Sequence, residues 1–254
     1  MTEKKQVLPV YKRAGETPLE AIRRVRKEHP EYANETMTYA GRLDPLAEGV
    51  LLLLSGDAVA KKDDYLRLDK EYVFDVLFGF STDTYDLLGK VTDTGNVAPK
   101  PADIERILKA LTGSYEQQYP PYSSKTVEGK PLFMWAREGK LHEITIPTHP
   151  ISVTELTLAD VRTIRKDALR KKIHASVGGV RGDFRQGEIL ELWNAYLDIH
   201  ESDTLTIANI RTKCSHGTYV RALVNELGEK LGVPATTFHI IRTKVGPYDA
   251  AAGD

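Results

Sequence analysis

The sequence predicts a mixed α+β protein. Its predicted strands outnumber its helices, and the two are not regularly interleaved as they would be in a doubly wound sheet. The run Tyr72, Phe74, Val76, Phe78 places large apolar side chains at period two, the pattern of a strand with a buried face. Repeats and low-complexity segments are absent, and 254 residues suffice for one large domain or a core with an insertion.

Taken in order, Thr17, Pro18 and Glu20 read as a helix start: a Thr cap, Pro at the first helical position, and Glu completing a capping box. Leu19, Ile22 and Val25 supply the apolar face of that helix, opposite Arg23, Arg24 and Lys27, and it is expected to end near His29. The apolar run 50–54 predicts a strand. A helix carrying Ile104, Ile107, Leu108 and Leu111 is expected to stop at Gly113. Further strands are predicted over 151–161, 189–199 and 205–213, a helix over 219–231 ended by Gly232, and a last strand over 236–245. The segment 120–150, rich in Pro, Gly, Ser and Lys, reads as a long loop or a semi-independent insertion.

Apolar residues make up 41% of the chain and charged residues 28%, values of an ordinary globular protein. Met1 precedes a polar, lysine-containing stretch with no apolar signal core. No run approaches the ~18 apolar residues of a membrane span, so a cytoplasmic protein without membrane contact is expected. Cys214 is alone, which excludes an intramolecular disulfide and a cysteine-based zinc site. The seven histidines are scattered without close pairs, and no metal is expected. The 35 basic and 36 acidic residues nearly cancel, yet residues 120–185 hold 12 Lys and Arg against 7 Asp and Glu. Part of that excess is Arg165, Lys166, Arg170, Lys171 and Lys172, which on charge alone reads as a solvated helix face.

The reactive candidate is Asp44. It lies in Tyr39-Ala-Gly-Arg-Leu-Asp-Pro-Leu-Ala-Glu-Gly49, read as a connection between a helix and a strand, where reactive groups commonly sit. Taken alone, an Asp-Pro between glycines is most often only a turn. Tyr72 alone is an ordinary core aromatic, and Arg221 alone an exposed helix residue. Cys214 beside His216 invites a thiol-nucleophile reading, but a free cysteine in a strand usually behaves as a small buried apolar residue. The glycine-rich stretch 177–182 lacks the Gly-Lys-Ser/Thr ending of a phosphate-binding loop.

The segment around Asp44 nevertheless resembles the Gly-x-Leu-Asp-Pro-x-Ala-x-Gly motif of TruB-type pseudouridine synthases, with every fixed position present. Residues 70–89, with Ser-Thr82-Asp83-Thr84-Tyr-Asp86-Leu-Leu-Gly89, resemble the family's next motif. Cys214-Ser-His-Gly217-Thr218-Tyr219-Val-Arg221 resembles a third. The three occur in the family's order over roughly residues 10–248. The resemblance implies a pseudouridine-synthase fold, a largely antiparallel mixed sheet flanked by helices with a thumb-like insertion at 120–150. It implies a single catalytic domain over 1–254, and no additional C-terminal RNA-binding (PUA) domain is expected.

By the same resemblance, Asp44 is the nucleophile, Arg221 its partner and Tyr72 the ring that stacks on the target uracil, with Ile240 beneath the base. Gly41, Arg42, Leu43 and Tyr219 are implied to line the substrate site, and Lys125, Lys130 and Arg137 to grip RNA. Each role has a physical warrant. A carboxylate must be ionised to attack, and a guanidinium favours that form while a bidentate pair fixes its direction. An aromatic face beside an extruded base offers stacking of about 1–3 kcal/mol. The implied reaction is uridine isomerisation at position 55 in the TΨC arm of tRNA, with base flipping. It needs no cofactor and no obligate protein partner, and a monomer is expected.

The sequence departs from the family pattern in four places. Tyr39 stands where the family has histidine, and an aromatic ring still fits a vacated base stack. Lys12-Arg13-Ala14-Gly15 resembles the family's Lys-Pro-x-Gly without the proline. Near 118–125 the match is one residue short, leaving Lys125 or Thr126 at the lysine position. Residues 164–188 look inserted and have no assigned role. Two alternatives remain open: a non-catalytic RNA-folding protein on the same scaffold, and a guide-RNA-dependent relative acting on ribosomal RNA. The intact Asp44, Tyr72 and Arg221 weigh against the first, and the missing terminal domain against the second.

Overall fold

Residues 5–249 are described in the computed structural model. The first half comprises β1 (Val7–Lys12), α1 (Pro18–Glu28), β2 (Met37–Ala40), β3 (Glu48–Ser55), α2 (Lys62–Leu66), β4 (Lys70–Phe78), β5 (Phe80–Thr82), β6 (Val91–Thr94) and α3 (Pro101–Ala110). There follow β7 (Gly113–Gln118), β8 (Thr126–Val127), β9 (Lys130–Pro131), α4 (Leu132–Arg137), β10 (Thr148–Arg165), α5 (Lys166–Gly178) and α6 (Gln186–Ile199). The chain continues through β11 (Thr204–Cys214), α7 (Val220–Leu231), β12 (Ala235–Val245) and β13 (Tyr248–Asp249).

One nine-stranded sheet runs β1-β3-β12-β4-β11-β10-β7, with β2 added to β3 and β13 to β12. Only β3 with β12 is parallel, so the sheet is mixed and largely antiparallel, as expected. β4 lies in its middle, and its alternation explains the two covering layers. Tyr72, Phe74, Val76 and Phe78 join Ile104, Ile107 and Leu108 of α3 and Leu223, Val224 and Leu227 of α7. Leu77, one step out of phase, joins Leu169 and Ile173 of α5 and Ile189, Trp193 and Leu197 of α6 on the other face. Each such side chain contributes about 1.5–3 kcal/mol on burial, so β4 anchors both helix layers.

Several expectations need correction. Residues 189–199 are not a strand but most of α6. Ile189, Trp193 and Leu197 fall four apart and are the buried ones, a helical stripe inside a run that is apolar enough to suggest a strand. In α1 the capping box forms as read, but the buried arc is Ala21, Ile22 and Val25, and Leu19 is exposed. The α3 helix ends at Ala110 with Leu111 as its cap, and Gly113 opens β7 with φ +123°. The Asp44 segment joins two strands, β2 and β3, rather than a helix and a strand. The strand read at 151–161 extends over all of β10. By contrast α7 ends as read, on a left-handed Gly232 (φ 66°) whose N–H caps the last turn.

Residues 120–150 contain the β8–β9 hairpin and α4. Residues 164–188 are the end of β10, α5 and the loop leading into α6 with its first turn, and with the rest of α6 they form a helical hairpin over the second core. Among the described residues no helix is long and apolar enough to cross a membrane.

Candidate active site

The loop between β2 and β3 is held from below by two buried cations. Lys12, at the end of β1, donates from Nζ to the carbonyls of Ala47 (2.6 Å), Asp44 (3.2 Å) and Pro45 (3.4 Å). Arg242 of β12 donates to the carbonyl of Gly41 at 2.9 Å and that of Val50 at 2.7 Å, on either side of the loop. Both side chains are fully covered, and Lys12 is the donor that satisfies the Ala47 carbonyl, while the carbonyls of Asp44 and Pro45 also accept from the amides of Ala47 (3.1 Å) and Gly15 (2.8 Å). Gly49 is required where the loop meets β12: its φ is +107°, and a Cβ there would overlap the backbone of Arg242.

Asp44 therefore projects from a fixed loop, and its side chain remains one-third exposed. Arg221 meets it from the first turn of α7, donating from Nε to Oδ2 at 2.7 Å and from Nη2 to Oδ1 at 3.1 Å. The same guanidinium donates from Nη1 to the carbonyl of Thr84 (2.6 Å) and from Nη2 to that of Tyr122 (3.2 Å). A bidentate pair with two further acceptors leaves it one orientation. Arg221 is 3% exposed. Burial opposes its charge, but Asp44 and Asp86 more than offset that, and it stays protonated.

Asp86 is the second carboxylate of the site, 3.8 Å from Nε of Arg221. It accepts from Thr84 Oγ1 at 2.7 Å and from the Leu88 amide at 2.9 Å. Burial pushes its carboxyl up to about 6 against the pull of Arg221 and Thr84. Two buried or half-buried carboxylates thus share one guanidinium, with only Asp44 open to a substrate.

Beside the pair, Leu43, Tyr72 and Ile240 belong to one apolar cluster. Tyr72 is 9% exposed, and burial pushes its phenol up. Tyr219 caps α7 one residue before its start, its N–H donating to Gln117 Oε1 at 2.8 Å. Arg42 bridges to Ser124 Oγ at 2.9 Å and so ties the loop to the 120–126 segment. This set is acidic, basic and apolar in one place. It can hold a planar base over a carboxylate whose direction is fixed.

Other residues singled out in the sequence lie further out. Tyr39 on β2 pairs with Leu53 and packs with the α1 cluster, with Lys62 Nζ 5.4 Å from its ring centre. Lys125 lies over the Tyr119 ring at 5.2 Å and is exposed. Lys130 is engaged by Glu138 at 2.7 Å and covers the Trp135 ring, and Arg137 donates to the carbonyl of Asp183 at 2.5 Å. Cys214 is buried in the first core, and burial pushes its thiol up to about 11, away from a reactive thiolate. A cleft of about 500 Å³ lies against α7, walled by Tyr85, Tyr115, Tyr119 and Glu226, and Asp44 does not line it.

Sequence reasoning did not single out Lys12, Asp86 or Arg242 as site residues. Asp86 and Lys12 each stand inside a quoted motif, which was their only signal. Arg242 carried none, because its role depends on β12 lying parallel to β3.

The description "TruB family pseudouridylate synthase (N terminal domain)" belongs to the family model that matches residues 30–179. A "tRNA pseudouridine synthase B" of Caldanaerobacter subterraneus subsp. tengcongensis is 34% identical over 244 residues, 96% of this chain and 70% of that protein. One of the same name from Caldicellulosiruptor saccharolyticus is 30% identical, covering 97% of this chain and 69% of that protein. Among solved structures, a chain in the crystal structure of a Cbf5-Nop10-Gar1 complex superposes with a TM-score of 0.58 at 18% identity, over 96% of this chain. A chain in the structure of an H/ACA RNP bound to a substrate RNA containing 2'-deoxyuridine gives 0.55 at 18%. This chain spans about half the length of those two, and at such identity the likeness is one of fold. With two relatives at 30% identity or more matching nearly its whole length, the chain belongs to the TruB family of pseudouridylate synthases.

Proposed function

We propose that this chain isomerises uridine to pseudouridine in tRNA, at position 55 of the TΨC arm, with Asp44 as nucleophile. The observation that carries the reading is the bidentate Asp44–Arg221 pair set beside Leu43, Tyr72 and Ile240. The target nucleotide leaves its stack at a cost of a few kcal/mol, and Tyr72 and Ile240 receive the uracil as it does so. Asp44, with Arg221 fixing its direction, attacks either C6 of the uracil or C1′ of the ribose. The N1–C1′ bond breaks, the base turns, C5 bonds to C1′, and the C5 proton leaves to solvent while N1 gains one. The balance is that of an isomerisation, so no cofactor takes part. Arg42, Lys125 and Tyr219 face the RNA, and Lys130 and Arg137 shape the thumb-like segment 120–150. The relatives named tRNA pseudouridine synthase B support action on tRNA, and in this reading the chain acts alone, in the cytoplasm.

The test uses an unmodified tRNA transcript labelled with tritium at uridine C5. The wild type releases label and Asp44→Asn does not, and a transcript with cytidine at position 55 gives none. Equal release from the wild type and Asp44→Asn overturns the reading and favours a non-catalytic RNA-binding role.

A further inference from the structure

The loop 179–185 between α5 and α6, in the segment that looks inserted relative to the family pattern, reaches the active site. Its shape is set internally. Gln186 Nε2 donates to the carbonyl of Gly182 at 2.7 Å and its Oε1 accepts from the Phe184 amide at 2.9 Å. Phe184 packs against the second core. These contacts hold Arg185 in a left-handed conformation, φ 65°, uncommon for a side chain of this kind.

From there Arg185 points inward. Its Nη1 donates to Asp83 Oδ2 at 2.6 Å and its Nη2 approaches Asp83 Oδ1 at 3.4 Å, while its guanidinium lies 4.5 Å from the centre of the Tyr122 ring. Tyr122 donates its hydroxyl to the same Asp83 Oδ2 at 3.0 Å. Asp83 immediately precedes Thr84, and the carbonyls of Thr84 and Tyr122 are the two that receive Arg221 besides Asp44. The Arg185–Asp83 pair is mostly covered, with side chains 17% and 22% exposed.

We propose that Arg185 is a positioning residue for the reaction: by locking Asp83 to Tyr122, it fixes the two carbonyls that hold Arg221 against Asp44. The α5–α6 hairpin thereby does for the site what an outer brace does for a hinge, and Arg137, bonded to the carbonyl of Asp183, joins the thumb-like segment to the same loop. A direct phosphate contact is the competing role for an arginine. Two of its donors are on Asp83 and its face covers Tyr122, which leaves little of it to offer an RNA.

The proposal rests on the pseudouridine synthase reading, and its test separates the two. Full-length wild type, Arg185→Asn, Arg185→Lys, Tyr122→Phe and the double variant Arg185→Asn with Tyr122→Phe are assayed on C5-tritiated tRNA in single turnover at saturating enzyme, and by tRNA binding. Asn tolerates the left-handed backbone and removes the guanidinium. Arg185→Asn is expected to lower the single-turnover rate between roughly tenfold and a hundredfold, as small misplacements of catalytic groups do, with tRNA Kd within about threefold of wild type. Lys recovers only part of the rate, because one ammonium cannot span both oxygens and cover the ring. The double variant loses less than the product of the single losses.

An unchanged rate with weaker binding and a salt dependence lower by about one ion makes Arg185 a phosphate contact and overturns the proposal. An unchanged rate and unchanged binding overturn it also. If Arg185→Asn does not fold, a wild-type rate in Arg185→Lys has the same force. Equal label release from wild type and Asp44→Asn fails the underlying reading, and the proposal with it, before any Arg185 variant is compared.

Discussion

Lys12 places its Nζ 2.6 Å from the carbonyl oxygen of Ala47, so that a buried ammonium closes the loop carrying Asp44. Lys12→Met keeps the length of the side chain and removes every donor. The carbonyl of Ala47 then loses its donor, those of Asp44 and Pro45 keep only the amides of Ala47 and Gly15, and a hydrogen bond from a charged group is worth about 1.5–3 kcal/mol before relaxation. The expected loss is about 2–4 kcal/mol of stability, read as a lower urea midpoint at unchanged slope, with a fall in kcat as Asp44 loses its fixed position. The pH dependence has a definite sign. Burial pushes Lys12 and Lys70 from the ordinary 10.5 down to about 8. Above pH 8 the unfolded chain holds more protons at these sites than the folded one, so their contribution to stability rises with pH, by up to about 1.4 kcal/mol per unit each. Between pH 8 and 9 wild type should show this rise and Lys12→Met about half of it.

Asp86 gives an activity prediction at acid pH. Its carboxyl is raised from 3.8 to about 6 by burial. As pH falls through about 6 it takes up a proton and no longer neutralises Arg221, so kcat of wild type should fall across that range. Asp86→Asn should lack that limb and be slower at pH 7.5 by roughly tenfold or more. A raised carboxyl contributes stability that is present below about 4 and lost as pH rises through 6, the reverse direction. Through this group the fold tightens at pH 5, so a fall in kcat there without a fall in melting temperature is the signature. A limb that persists in Asp86→Asn assigns it to another group.

Trp193 ties the α5–α6 hairpin to the sheet. Its ring is fully buried, 5.1 Å from that of Phe80, and its Nε1 donates to the carbonyl of Gly89 at 3.1 Å. Trp193→Ala leaves a large cavity and an unpaired carbonyl, and truncations of this kind cost about 3–5 kcal/mol. Chemical denaturation should show that loss. A cost under about 1 kcal/mol would mean that the hairpin is an appendage with no share in the core.

These residues also mark how far the sequence could be read. β4 was legible because one buried face repeats every second residue, and the α1 start because its capping box is local. Asp44 and Arg221 were legible only through motifs, since 177 positions separate them and no local rule joins them. The α6 stripe was misread because Ile189, Leu190, Leu192 and Trp193 make an apolar run that suits a strand as well as a helix, and its burial depends on α5. Arg185 and Lys12 were invisible as contributors because their partners are backbone carbonyls and a distant carboxylate, brought within reach only by the sheet order. The long-range part of the site is thus set by topology, which periodicity does not encode.

Arg221→Lys separates charge from geometry at the centre of the site. The substitution keeps a cation in a pocket that is 3% exposed, so the electrostatic support for Asp44 remains in part. It removes the fork that spans Oδ1 and Oδ2, and it also withdraws donors from the carbonyls of Thr84 and Tyr122. A single ammonium reaches at most some of these acceptors, and two backbone carbonyls in a covered site lose their partner. The expected result is a fall in kcat of roughly a hundredfold with tRNA binding within about threefold, because Arg42 and Lys125, the cations proposed to face the RNA, are untouched. Melting temperature should drop as well, by several degrees for a loss of about 2 kcal/mol in a chain of this size. If charge alone supported the nucleophile, Arg221→Lys would keep most of its rate while Arg221→Met lost it. Equal losses in the two variants instead assign the rate to orientation of the Asp44 carboxylate, the property that the bidentate pair and its two carbonyl partners enforce together.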